Sequence, residues 1–161
     1  MALAQARRAL SAGEAPIGCV VACATGEILG VGYNTLRESG NPILHAELNA
    51  ITAASPLLAA ARDVTMVSTL EPCVMCTGAA MQVGVTAIVY GLRAPADAGT
   101  SRVRPPTAPG TTDPIVIGDI CAAESRALFV DWLARHERDQ SRAEQRAFIE
   151  QLLTLTAVPS Q

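Results

Sequence analysis

Residues 64–90 read VTMVSTLEPCVMCTGAAMQVGVTAIVY. Val64 to Leu70 is an apolar, β-branched run and predicts a strand. Pro72 suits the first turn of a helix, where a missing N–H costs nothing, and the helix continues through Met75, Ala79 and Met81. Val85 to Tyr90 is a second β-branched run and predicts a buried strand. Strand, helix and strand in that order form a unit whose two strands lie parallel in one sheet.

The rest of the chain extends this unit on both sides. Upstream, His45 to Ala54 is rich in helix formers and is expected to run as far as Pro56, after a break at Asn41-Pro42. Ile17 to Ala24 and Ile28 to Val31 flank Thr25-Gly26-Glu27 and predict a hairpin, an antiparallel edge to the sheet. Met1 to Leu10 predicts an opening helix. Downstream, Arg93 to Pro114 contains five Pro and reads as a long irregular loop. Ile115 to Ile120 predicts a further strand, and Ala122 to His136 and Arg142 to Leu155 predict helices. Five strands interleaved with helices indicate an α/β layered fold.

The 161 residues are half apolar, 17% charged and 3% aromatic, with a formal net charge of −3. A chain of this size buries roughly 68–70% of its unfolded surface in one core, so residues 1–161 are read as a single domain. The composition excludes a disordered chain. The longest apolar stretches fall far short of the roughly 20 residues of a membrane span. No charged-then-apolar leader opens the sequence, and a cytoplasmic location is expected. All 12 basic residues are Arg, and the net charge is acidic, so no whole-chain nucleic-acid footprint is visible. Five Cys in such a chain point to metal or thiol chemistry rather than to disulfides.

That chemistry concentrates in His45-Ala46-Glu47 and Pro72-Cys73-Val74-Met75-Cys76. Cys73 and Cys76 are three apart, so at a helix start both thiols converge on one point. Two thiolates and one imidazole make three ligands for zinc and leave a fourth position open; a structural zinc usually takes four protein ligands. Both sets begin predicted helices, whose dipoles favour thiolates. Glu47 should project beside the metal without binding it, where a carboxylate can take a proton and pass it on. The set suits hydrolytic removal of an amino group from a ring carbon next to a ring nitrogen. Singly, a His at a helix start reads as a cap and a Cys-x-x-Cys as a redox or core pair. Together they form the signature of the zinc deaminases.

With Glu14-Ala15-Pro16-Ile17-Gly18, Gly32-Tyr33-Asn34 and the run from Thr69 to Ala79, these segments resemble the zinc-dependent nucleobase and nucleoside deaminases of the cytidine-deaminase-like superfamily. The similar branch includes tRNA adenosine deaminases, bacterial guanine deaminases and fungal-type cytosine deaminases. The resemblance covers the chain up to Arg93 and is looser beyond it. It implies a three-layer α/β/α fold around a mixed five-stranded sheet: one deaminase domain with zinc motifs at 45–47 and 72–76 and C-terminal helices over 122–157. It further implies zinc held by His45, Cys73 and Cys76, with Glu47 as the proton carrier. Asn34 would hydrogen-bond the ring of the base, Ala46 would offer it a backbone N–H, and Glu71 would border the pocket through its backbone. A homodimer is expected on the same ground.

The motifs leave the substrate open. A free base, a nucleoside or a related small heterocycle is the first reading; adenosine in a tRNA anticodon loop is the alternative. The stretch from Ala134 to Gln161 contains four Arg and four acids, which cancel, and few aromatics are available for stacking. The tRNA enzymes of the family usually carry Asp-Pro-Thr-Ala before His-Ala-Glu. Here Asn41-Pro42-Ile43-Leu44 stands there, and its aliphatic pair is expected to make the pocket wall more apolar. Glu14-Ala15-Pro16-Ile17-Gly18 and the run from Thr69 to Cys76 are nonetheless closer to the tRNA branch. A third reading, a non-catalytic zinc-binding interaction module, gives Glu47 no use.

The remaining residues that invite a role are expected to be structural. Cys19, Cys23 and Cys121 read as small core residues, and His136 as part of a solvent face. Phe148, Leu152 and Leu155 form a helical stripe for packing. The loop from Arg93 to Pro114 reads as a lid or specificity element, or as plain surface loop.

Overall fold

In the computed structural model, which describes residues 1–156, the expected hairpin is formed by β1 (Gly18–Ala22) and β2 (Ile28–Tyr33), with Val20 opposite Val31. β1 pairs antiparallel with β3 (Val64–Leu70) as well. β3 runs parallel to β4 (Val85–Leu92), and β4 parallel to β5 (Ile115–Ile117). The result is a mixed five-stranded sheet in the order β2-β1-β3-β4-β5.

Helices cover both faces. On one lie α3 (Ala46–Leu58) and α4 (Val74–Gln82), whose Ala46, Ala50, Ala54 and Ala80 pack on Val21, Met66 and Ile88 of the sheet. On the other lie α1 (Ala2–Ser11), α5 (Ala122–Arg135) and α6 (Ala143–Leu155), bringing Leu10, Phe129, Trp132, Ile149 and Leu152 against Leu70 and Leu92. A short α2 (Leu36–Ser39) follows β2, and a 3-10 turn at Gln140–Arg142 leads into α6. The α/β/α layering follows from strands apolar on both sides. No helix among the described residues is long and apolar enough to cross a membrane. Residue 157, the expected end of the C-terminal helices, lies outside the described residues.

Alanine and glycine let α3 approach the sheet closely. A Cβ on Gly32 would stand 2.4 Å from the Ala46 carbonyl and 2.5 Å from the Ala50 nitrogen. Because both atoms belong to helix backbone, nothing flexible can yield. Gly32→Ala is therefore expected to destabilise the protein by about 1–3 kcal/mol, the range for overpacked cores. Urea unfolding checks this, and an unchanged midpoint would refute the packing argument.

Several local expectations need correction. α3 does not stop at Pro56 but runs through it to Leu58. Proline cannot bond the Thr52 carbonyl four residues back; the Ser55 hydroxyl donates to that oxygen instead, at 2.8 Å. β5 ends at Ile117 rather than Ile120, because Ile115, Val116 and Ile117 form an exposed edge. Cys121 is not a core residue: it is exposed, with φ at +57°, and caps α5. Cys23 lies just beyond β1 and is half-buried, while Cys19 is fully buried. His136 is not on an open solvent face; it is half-buried and stacked on Trp132 with ring centroids 4.4 Å apart.

Candidate metal centre

Two helix starts meet at one point. His45 is the N-cap of α3 and Cys73 the N-cap of α4, with Cys76 in the first turn behind it. His45 Nδ1 is 3.6 Å from Cys73 Sγ and 3.6 Å from Cys76 Sγ. All three donor atoms lie within 4.8 Å of one another. In a tetrahedral zinc site, Zn–S near 2.3 Å and Zn–N near 2.0 Å place nitrogen and sulfur about 3.5 Å apart. The spacing therefore fits zinc without rearrangement. Among the described residues these three form the one His/Cys/Asp/Glu group so arranged.

The donors also have the chemistry of ligands. The Cys73 thiol is drawn down to about 4, first by a hydrogen bond from Cys76 and then, against burial, by His45. His45 is raised, chiefly by its hydrogen bond with Cys73. Cys76 is pushed up by that same bond to Cys73, by burial and by the charge of Glu47. The two sulfurs thus share one proton, which a divalent cation would displace.

Glu47, in the first turn of α3, is 3% exposed. Its Oε1 accepts from the Ser68 hydroxyl at 2.8 Å, and its Oε2 accepts from Cys76 Sγ at 3.5 Å. Burial raises its carboxyl above the ordinary value. A buried acid with a raised pKa suits a group that must both take and return a proton. Ser68, on β3, carried no signal in the sequence that set it apart from other strand residues.

His45, Glu47 and Cys73 line a cavity of about 290 Å³. Asn34 belongs to its wall, is 3% exposed, and its Oδ1 has no hydrogen-bond partner among the described residues. An unpaired buried carbonyl costs free energy until a donor arrives. Ala46 does not line the cavity; its methyl is buried in the core under α3. Nor do Ile43 and Leu44, against the expectation of an aliphatic wall there: Ile43 points to solvent. The apolar wall is built instead by Ile17, Leu36, Leu70 and Phe148. Phe148 comes from α6, so part of the stripe read as packing faces the cavity.

Glu71 borders the cavity but works through its carboxylate rather than its backbone alone. Oε2 accepts from the Ala94 N–H at 3.0 Å, and Oε1 accepts from the Thr100 hydroxyl. That clamp holds the start of the loop after β4 against the site, with Ala98 bridged antiparallel to Cys73. Of the long loop, Asp97 alone lines the cavity. Behind the cavity residues Ala15 and Leu36, Glu14 is buried, and its Oε1 accepts from the N–H groups of Arg37 and Glu38, both at 2.8 Å. It thereby fixes α2 and the cavity residue Leu36. Sequence reasoning assigned neither clamp, because each spans more than 20 residues.

A family model described as the cytidine and deoxycytidylate deaminase zinc-binding region matches residues 1–92. The chain is 48% identical over 96 residues to a tRNA(Ile)-lysidine synthase of Deinococcus radiodurans, covering 58% of this chain and 16% of that protein. It is 42% identical over 92 residues to a tRNA-specific adenosine deaminase of Streptococcus pyogenes, covering 56% of this chain and 57% of that one. The chain thus spans little more than half the length of the latter and a small part of the former. Among solved structures, it is similar to one from a study of A-to-I editing by tRNA:A34 deaminases at the wobble position. That match has a TM-score of 0.67 and 28% identity, covering 79% of this chain and 94% of the other.

Proposed function

The chain belongs to the family of the cytidine and deoxycytidylate deaminase zinc-binding region, and on that premise we propose that it hydrolytically deaminates an amino-substituted nucleobase, nucleoside or related small heterocycle. One observation carries the reading. His45, Cys73 and Cys76 surround a single point at the wall of a small cavity, with the buried Glu47 carboxylate beside them. A structural zinc site gives such a carboxylate no task, which speaks against a non-catalytic module.

In this reading His45, Cys73 and Cys76 hold zinc, a Lewis acid that lowers the pKa of a coordinated water toward about 7. Glu47 takes a proton from the attacking water and delivers it to the ring nitrogen next to the amino-bearing carbon. The water oxygen adds to that carbon. Glu47 then relays a second proton to the amino group, the C–N bond breaks, and ammonia leaves. Ser68 steers Glu47 through Oε1, which leaves Oε2 beside the Cys76 sulfur at the metal site. Asn34 Oδ1 accepts an N–H of the ring, which satisfies its missing bond. The resemblance implies an Ala46 backbone N–H contact to the base, which the cavity lining does not support, and Glu71 has a supporting role in the wall. Residues 1–161 form one deaminase domain in this reading. A homodimer rests on the resemblance to the family, and a cytoplasmic location on the sequence reading above.

The second reading, adenosine deamination in a tRNA anticodon loop, is favoured by the 42% identity to the streptococcal enzyme over the zinc-motif region. Against it stands α6, outside the matched residues, which supplies Glu144, Gln145 and Phe148 to the cavity. Ammonia release is the test, measured with guanine, cytosine, adenine, their nucleosides and an anticodon stem-loop. Release from at least one free base or nucleoside, exceeding that from the stem-loop, is expected. Release from the stem-loop alone would establish the second reading, and release from none would overturn both.

A further inference from the structure

Among the described residues four carboxylates line the cavity, those of Glu47, Glu71, Asp97 and Glu144, and no Arg does. Glu47 and Glu71 are buried and already hydrogen-bonded, whereas Asp97 and Glu144 are exposed and border the cavity from different elements, Asp97 from the loop after β4 and Glu144 from the start of α6. The guanidinium groups nearby are engaged by the protein itself, mostly through backbone carbonyls; Arg142 also bonds Asp139 and Gln145, and the charge of Arg102 reaches Asp97. Arg102 donates to Ala96 and Pro95, Arg37 to Ser141, and Arg142 to Gly13. The N-terminus of α6, which a phosphate would otherwise seek, carries Glu144 in its first turn. Inside the mouth, the unsatisfied polar atom is the buried Asn34 Oδ1, an acceptor that calls for an N–H and offers nothing to a phosphate.

We propose that Asp97 and Glu144 form a charge filter at the mouth, which admits phosphate-free bases or nucleosides and rejects nucleotides and RNA. The inference rests on the deaminase reading above and narrows its substrate class. A phosphate dianion passing these two exposed carboxylates, with the guanidinium groups of Arg37, Arg102 and Arg142 already engaged, is repelled on its way in. The repulsion fades as salt shortens the Debye length from about 10 Å at 0.1 M to about 3 Å at 1 M. Asp97 is held in place by the Glu71 clamp and Glu144 by the fastening of α6, whose preceding Arg142 is bonded to Gly13 and Asp139 and lies over the Trp132 ring. Both are specificity-determining residues in this proposal, and neither touches the reacting atoms.

The test compares kcat/KM for adenosine, cytidine and guanosine, whichever is turned over, with that for the corresponding 5′-monophosphate. At low salt a preference for the nucleoside of at least tenfold is expected. The double variant Asp97→Asn, Glu144→Gln should reduce that ratio by about tenfold, and 1 M salt should reduce it in the unaltered protein. A parallel measurement removes the dependence on turnover: calorimetric binding of each nucleoside and its monophosphate to the Glu47→Gln variant, with and without the two mouth substitutions. Equal handling of nucleotide and nucleoside, or a ratio untouched by both the double variant and salt, would overturn the filter. Absence of ammonia from every compound would instead overturn the deaminase reading, and the binding ratio would still decide the filter.

Discussion

Glu47→Gln is expected to slow ammonia release by about 10²- to 10⁴-fold, the range that a positioned general acid–base contributes. The amide keeps the shape of the carboxylate and can still accept the Ser68 hydroxyl. Its NH₂ would face the Cys76 sulfur, which as a ligand is a thiolate and a good acceptor. Fold and metal content should therefore survive while proton transfer does not. The measurement pairs single-turnover kinetics with zinc analysis and thermal unfolding of the same preparation. Activity within tenfold of the unaltered protein, at full zinc content, would show that another group carries the proton.

The second large effect concerns the ligands. Cys76→Ala removes one of three protein donors, and about one zinc per chain is expected to fall to near zero after dialysis, with deamination lost in parallel. The pH dependence of metal uptake should carry the mark of the same residue. Cys76 is pushed above its ordinary value, so before metal arrives it holds its proton throughout the neutral range. Zinc must displace that proton, so affinity should fall about tenfold for each pH unit lowered across neutrality. His45, itself raised, also has to give up a proton wherever it is charged, which steepens the loss as pH falls. Competition with a chelator at a series of pH values reads both slopes. A pH-independent affinity, or a Cys76→Ala protein that keeps its zinc, would exclude this residue as a ligand.

Much of the architecture was legible because local signals agreed with the global arrangement. The β3–α4–β4 unit announced itself through two β-branched runs and a proline at a helix start, and the hairpin through Thr25-Gly26. The grouping of His45, Cys73 and Cys76 was legible for a related reason: two short-range spacings, each at a helix start, carry the geometry with them. What failed to show was long-range or compensated locally. The run of α3 through Pro56 depends on the Ser55 hydroxyl, which no proline rule anticipates. Ile43 and Leu44 adjoin the ligand His45 in sequence, yet a turn of chain directs them away from the cavity. The clamps made by Glu14 and Glu71, and the cavity-facing side of α6 with Glu144 and Phe148, depend on elements meeting across the sheet. A helical stripe such as Phe148, Leu152 and Leu155 says that a face is covered, not whether a neighbour or a cavity covers it.

The placement of the ligands at two helix starts also bears on how the chain folds. His45 and Cys73 are 28 residues apart, and the span between them contains all of α3 and β3. An ion joining them acts as a cross-link that closes this loop, removing conformational freedom from the open chain in the manner of a staple. Metal loading and assembly of the sheet's middle then become one linked equilibrium, in which free zinc at 100 times its dissociation constant contributes about 2.7 kcal/mol to the folded state. In the chain without zinc, the two helix starts would be the region freest to open, and synthesis under metal starvation would yield a protein short of stability as well as activity.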